Sequence, residues 1–313
     1  MMDRRTFLGA VPLALLGTHL GARSSVRTPS QWSPSPAMNY RQPYERRLDA
    51  LGVQLYTLRE AMAADVDATL VRVAEIGYAE VEFAGLHGVS ASGMRAKLDR
   101  EGLSATSSHV GIDLVRSRWS EALDVAQTLG QKLIVVPSLP VDERSAEGLA
   151  RVADDFNRAG EAAAAVGIRF GYHNHDWEFE PLADGGLPMD LLLDRTETDL
   201  VDWQMDVFWT VQGGADPRAQ LVRRAGRVRS LHVKDRSPNG DMVAVGDGVI
   251  DYHRIIPEGE RHGLEHVYVE HDWPDDPFDS VLRSYRHLTE GRGPTPLSPV
   301  RGSSRDPFEE RIA

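Results

Sequence analysis

No cysteine occurs among the 313 residues, so the chain makes no disulfides, a composition that suits an exported protein without them. Basic charge is also in short supply. Against 47 Asp and Glu stand 35 Lys and Arg, a formal net charge of −12. A nucleic-acid groove needs concentrated Lys and Arg to neutralise phosphates, and no basic stripe is present. A small neutral or polar ligand fits better, with Lys234 and Arg236, or Arg116 and Arg118, as local points for an anionic group. No Gly-rich dinucleotide loop follows the first strand candidate, which disfavours a doubly wound open sheet. There is no internal repeat beyond an alternation of strands and helices. The 41% hydrophobic content of a chain this long is enough for a sizeable core.

That alternation runs from about residue 49 to 290. Short apolar runs, GVQLYT, AEVEFA, SATSSH, KLIVVP, IRFGYHNH, VDWQMD, VRSLHVK and HVYVEHD, predict eight strands. Between them the helical period appears at 65–76, 92–101, 118–129, 145–166, 188–195, 216–224, 252–262 and 278–288. Gly77, Gly102, Gly130, Gly167 and Gly263 sit just past helix ends, where a left-handed cap favours glycine. Eight strand–helix units in one α/β domain of this size predict a single (β/α)8 TIM barrel over residues 49–290.

The two ends differ from this pattern. The opening MMDRRTFLGAVPLALLGTHLGA pairs two arginines with Phe7-Leu8 and an apolar stretch too short to span a bilayer. It resembles a twin-arginine export signal, with Asp3 where Ser or Thr is more usual. Residues 1–22 are therefore expected to send the protein to the periplasm or another extracytoplasmic place, with no transmembrane domain once the signal is removed. Residues 23–48 are a Ser/Pro-rich linker, and 291–313 a Pro/Gly/Arg-rich tail.

GYHNHDWEF, residues 171–179, raises the chemical question, because a packed core rarely wants two histidines around an asparagine. Side chains alternate along a strand, so His173 and His175 share a face with Gly171, opposite Ile168, Phe170 and Tyr172. The same parity turns Asp202, Gln204 and Asp206 inward on the sixth strand candidate. On the seventh it turns in Ser230, His232 and Lys234; on the eighth, Tyr268, Glu270 and Asp272; on the second, Glu80 and Glu82. A lone inward His or Asp is more often a hydrogen-bonded structural residue than a ligand. Here four consecutive strands each offer one metal-type ligand, His173, Asp206, His232 and Glu270, near the end where this fold builds its sites. The mixture of imidazole and carboxylate suits one divalent ion of Mn, Zn, Co or Fe better than calcium.

GYHNHDWEF, MDVFW, SLHVKD and VGDGVID together resemble the sugar phosphate isomerase and epimerase superfamily, with its xylose-isomerase-like barrel. The resemblance implies a metal held by strands five to eight on adjacent oxygens of a carbohydrate, and a carboxylate that moves the proton next to a carbonyl. Carried over by position, Asp206, His232 and Glu270 match, with Glu270 as base; strand position, not the resemblance, offers Glu82 as a second acid or base and Lys234 as a stabiliser of enolate charge. His109, His175, Glu178 and Trp209 are expected to bind substrate, and Trp177, Trp209 and Phe208 to wall a ring. Two positions depart from the pattern. His173 stands where many epimerases carry a second glutamate base, and Trp209 where a histidine often supports the substrate.

Both departures resemble the branch that includes 3-keto-glycoside lyases. The expected function is thus a metal-dependent carbohydrate isomerase, epimerase or lyase, leaning to 3-keto-glycoside elimination, with a small sugar or glycoside as partner. A homo-oligomer is compatible with the sequence. The rival readings are a catalytically silent sugar-binding barrel and, less favoured for an acidic chain, a relative of abasic-site endonucleases. Changing Arg4 and Arg5 together to Lys is expected to leave a folded protein in the cytoplasm, because a twin-arginine receptor reads the guanidinium pair. Cell fractionation checks this; undiminished export of the double variant would exclude the twin-arginine route.

Overall fold

Apolar residues on the outward face of each strand need a cover, and the helices supply it. The computed structural model describes residues 50–289. The expected signal, linker and tail lie outside them. The elements run β1 (Gly52–Gln54), α1 (Arg59–Ala64), α2 (Val66–Ile76), β2 (Glu80–Phe83), α3 (Ala91–Glu101), β3 (Ser104–His109), α4 (Ile112–Ser117), α5 (Trp119–Leu129) and β4 (Leu133–Val136). Then come α6 (Ala146–Ala164), β5 (Arg169–His173), α7 (Pro188–Arg195), β6 (Val201–Asp206), α8 (Val207–Gln212), α9 (Pro217–Arg223) and β7 (Val228–Val233). The last are β8 (Asp235–Arg236), β9 (Met242–Val243), α10 (Tyr252–Arg261), β10 (His266–Val269) and α11 (Pro277–Thr289). Strands β1 to β7 and β10 close a parallel barrel in the order β1-β10-β7-β6-β5-β4-β3-β2. Pairing of β1 with β10 is what excludes an open doubly wound sheet.

Register sets the site. Gln54 lies beside Glu82, His173 beside Gln204, Asp206 beside His232, and His232 beside Tyr268, so polar residues from six strands gather inside the barrel toward one end. Their neighbours Val53, Val81, Phe170, Trp203, Leu231 and Val267 point the other way and are buried under the helices.

Several elements exceed the expected alternation. Short helices α1, α4 and α8 and the β8–β9 hairpin lie in the connections that follow strands, the part of this fold that varies. Strands β5 and β10 stop at His173 and Val269, earlier than the apolar runs suggest, so His175, Glu270 and Asp272 sit in loops. Side chains take over the backbone partners there: Asn174 accepts from the Asp206 amide, and Thr57 from the His271 amide.

Helix α6 buries Leu149, Val152, Ala153, Phe156, Ala159, Gly160 and Ala163, three or four apart, against the sheet. A Cβ on Gly160 would come within 2.5 Å of the Leu200 carbonyl oxygen. Gly160→Ala must therefore push the helix off the sheet and is expected to lower the unfolding free energy by about 1–3 kcal/mol. Chemical denaturation measures it; unchanged stability would contradict this close approach.

Candidate functional site

At the C-terminal end of the barrel, ion pairs replace apolar packing. His232 is fully enclosed and bridges two carboxylates: Nε2 lies 2.5 Å from Glu82 Oε2 and Nδ1 lies 2.6 Å from Glu270 Oε2. Lys234, two residues on, sets its Nζ 2.8 Å from Glu270 Oε2, 2.9 Å from Asp206 Oδ2 and 2.7 Å from Asp272 Oδ1. Four carboxyl groups thus face two cations, and the excess is anionic.

Burial opposes charge at each of these groups, and the neighbours decide the outcome. At His232 the loss of hydration is overcome by Glu82 and Glu270, which raise the imidazolium to about 10. Burial would lift Glu82 too, yet His109 and His232 hold it at about 2. Glu270 follows the same logic, with Lys234 and His232 keeping its carboxyl well below the usual range. At Asp206 burial wins, and the carboxyl rises to about 6 despite Lys234 and His232.

The other imidazoles stay neutral. Burial, reinforced by the charge of His232, depresses His173 far below its ordinary value. Burial, reinforced by Lys234, brings His175 to about 4. His173 Nδ1 lies 3.1 Å from Gln204 Oε1, an atom that can only accept, so the ring proton is on Nδ1. That leaves the Nε2 lone pair 3.5 Å from Asp206 Oδ2, a buried carboxylate oxygen whose near partner is the Lys234 ammonium 2.9 Å away. Two unprotonated donors facing each other, in an anionic surround, fit a divalent cation. Asp206, His232 and Glu270 also offer ligand atoms within 4.8 Å of one another, as do His109, His173 and His232. Imidazole nitrogen with carboxylate oxygen is a donor set for Mn, Zn, Co or Fe.

Above these groups lies a cavity of about 570 Å³, within the range of small-ligand sites. Its lining includes His109, His173, His175, Trp209, Lys234, Glu270 and Asp272, with Tyr56 and Trp273 also on its wall. His175 Nδ1 and Trp209 Nε1 are buried with no hydrogen-bond partner in the protein.

The structure brings most of the expected site residues together, and it separates some roles. Glu82 is fully buried, beneath the cavity rather than on it, bound by Gln54, Gln204 and His232. Glu178 does not line the cavity either. Its oxygens accept from Tyr172 Oη at 2.5 Å and from the His175 amide at 2.8 Å, so it braces the His175 loop instead of meeting sugar hydroxyls. Trp177 and Phe208 are likewise outside the lining, whereas Trp209 is in it. Glu80, at the opposite end of its strand, pairs with His266 at 2.9 Å.

Residues without a role in the sequence reading turn out to hold the site. Gln204 donates to Glu82 at 2.8 Å and accepts from His173 and from His109, the latter at 2.7 Å. Inward parity on its strand was the available signal. Asn174 accepts from Trp203 Nε1 at 2.8 Å and from the Asp206 amide at 3.0 Å, tying β5 to β6. Asp235 collects the amides of Gly246, Gly248 and Ile250 and so pins the VGDGVID loop.

A parallel eight-stranded barrel with an anionic, histidine-rich pocket at its C-terminal face defines a small-molecule (β/α)8 barrel. The description of the xylose isomerase-like TIM barrel matches residues 70–290, and the chain belongs to that family. It is 27% identical over 192 residues to an inosose dehydratase of Geobacillus kaustophilus (strain HTA426), a match that covers 54% of this chain and 61% of that protein. Among solved structures, a sugar phosphate isomerase/epimerase from Parabacteroides distasonis ATCC 8503 is similar at 27% identity and a TM-score of 0.70, over 77% of this chain and 93% of that one. The IOLI protein, whose structure carries a zinc atom, shares the fold at 15% identity and a TM-score of 0.63, over 77% and 96% of the two chains.

Gln204→Met strands one Glu82 oxygen and the His173 ring N–H in the interior and leaves His109 Nε2 only its longer 3.2 Å contact to Glu82. The expected loss of unfolding free energy is roughly 2–4 kcal/mol by denaturant titration. A loss under about 0.5 kcal/mol would mean that the amide is not the hub of these contacts.

Proposed function

We propose that this barrel removes a proton next to the carbonyl of a sugar or keto-sugar and then eliminates a β-oxygen substituent, with a 3-keto-glycoside as the favoured substrate. The observation that carries this reading is the position of Glu270. It lines the cavity, both of its contacts fall on Oε2, and Oε1 is left to meet a substrate C–H. A carboxylate kept ionised by its neighbours is a ready proton acceptor.

His173, Asp206 and Glu270 would hold the divalent ion, joined by His232 once one of its ring nitrogens gives up the proton it now shares with Glu82 or Glu270. When bound, it supplies a Lewis acid that acidifies the C–H beside the carbonyl. The protein's own groups do the rest. Glu270 takes the proton, and the C–H electron pair becomes charge on the carbonyl oxygen. Lys234, on the same wall, stabilises that charge. As the carbonyl re-forms, a double bond appears between the α and β carbons, and the β C–O bond breaks with its pair on the leaving oxygen. That oxygen leaves as water or an alcohol after protonation by solvent. His175 and Trp209 offer unpaired polar atoms to ring hydroxyls.

Among the described residues the cavity lining holds one further carboxylate, Asp272, which comes from the same loop as Glu270 and is paired with Lys234; β3, β5 and the loop after β5 contribute histidines, His109, His173 and His175. One base suffices for elimination, whereas a two-base epimerase needs another. The similarity to inosose dehydratases, dehydratases by name, supports a carbon–oxygen lyase. A glycoside is favoured by the cavity mouth, where Tyr56 and Trp273, 41% and 67% exposed, present rings to a second ring of the substrate. We also infer export to the periplasm, on the strength of the Arg4-Arg5 motif.

Glu270→Gln keeps the shape and loses the base, so turnover of a 3-keto-glycoside is expected to fall by roughly 10²- to 10⁴-fold. Full activity of this variant would remove the proposal. Trp273→Ala is expected to raise KM for a keto-glycoside about 3- to 10-fold and to leave a monocyclic keto-sugar unaffected. Equal effects on both substrates would contradict an outer ring subsite.

A further inference from the structure

Lys234 is a fully enclosed ammonium, 2% exposed, set among three carboxylates. Two of the oxygens it touches, Asp206 Oδ2 and Glu270 Oε2, belong to residues that the functional reading assigns to the divalent ion. The third, Asp272 Oδ1, is its hydrogen-bond acceptor at 2.7 Å. The ammonium and a divalent ion make the same demand on these oxygens. Neither carboxylate can offer one lone-pair direction to both cations at close range, and two cations in so small a nest repel each other strongly.

We propose that Lys234 is a built-in counter-cation of this nest, and that a divalent ion entering between Asp206 and Glu270 displaces its ammonium toward Asp272 and the cavity. The inference rests on the functional reading only for the place of the ion. It requires no substrate and no turnover. Asp272 makes the exchange affordable in charge: it keeps a partner on the ammonium after the other two oxygens are lost. Because Lys234 already lines the cavity, the displaced ammonium reaches substrate without a backbone movement. Binding of the ion would thereby arm the lysine for its role at the developing oxyanion.

The chain holds three lysines, Lys97, Lys132 and Lys234, which makes a direct test practical. Full-length protein made with lysine labelled with carbon-13 at Cε gives three Cε resonances, and Lys234→Met assigns one of them by its loss. On titration with zinc chloride, the Lys234 signal is expected to move while those of Lys97 and Lys132 hold still. Competition against a chelator is expected to show Lys234→Met binding zinc about ten-fold more tightly than wild type, because a competing charge is gone. A stationary Lys234 signal at saturating zinc overturns the proposal. So does a variant affinity equal to or weaker than wild type, and so does absence of zinc binding by both proteins. Should Lys234→Met not fold, Lys234→Arg supplies the assignment and the wild-type titration decides alone. Neither readout involves a sugar, so failure of the elimination reading leaves the test intact.

Discussion

Everything at the top of the barrel depends on one constraint: four carboxylates, Glu82, Asp206, Glu270 and Asp272, are gathered where little water reaches them. Like charges so close are tolerable only if cations sit among them. His232 and Lys234 do so from a single strand and its end, spaced two residues apart and therefore on one face. The price of that arrangement is rigidity, since removing either cation leaves buried, unpaired charge. The benefit is a carboxylate held ionised beside a cavity and a second, Asp206, with an oxygen held by nothing but the Lys234 ammonium.

Around this network the fold works as a frame. Closed parallel pairing fixes the level of each ligand, and uncharged amides fix its direction. Gln204 sets the tautomer of His173, and Asn174 locks the end of β6 on which Asp206 stands. Asp206 has a second task as the cap of α8, accepting from the Trp209 amide at 2.9 Å through Oδ1. Its two oxygens are thereby given different jobs. A side chain oriented in this way at one oxygen is well prepared to present the other.

The barrel was legible in the sequence because its signal is local. Alternating apolar runs such as VDWQMD, and glycines after helices as at Gly77, Gly102 and Gly130, each report on a few neighbours. Inward parity likewise pointed to His173, Asp206, His232 and Glu270, and the structure gathers these residues at one end of the barrel. Parity could not tell what lies on the cavity from what lies beneath it. Glu82 and Glu178 are polar and well placed in sequence, yet both are consumed in buried hydrogen bonds that only three-dimensional pairing reveals. Gln204 and Asn174 were invisible as site residues for a related reason: an amide that orients a ligand has no chemical signature of its own. The rim aromatics Tyr56 and Trp273 come from opposite ends of the barrel sequence and meet only on closure of β1 against β10.

The central claim is that this site takes a proton from the carbon next to a carbonyl. The most direct measurement follows the hydrogen itself, with a 3-keto-glycoside carrying deuterium at that carbon and the product examined by NMR and mass spectrometry. Complete loss of the label to solvent, with slower turnover than the unlabelled substrate, is the result expected for abstraction by Glu270. A product that retains the deuterium at that carbon would contradict the account.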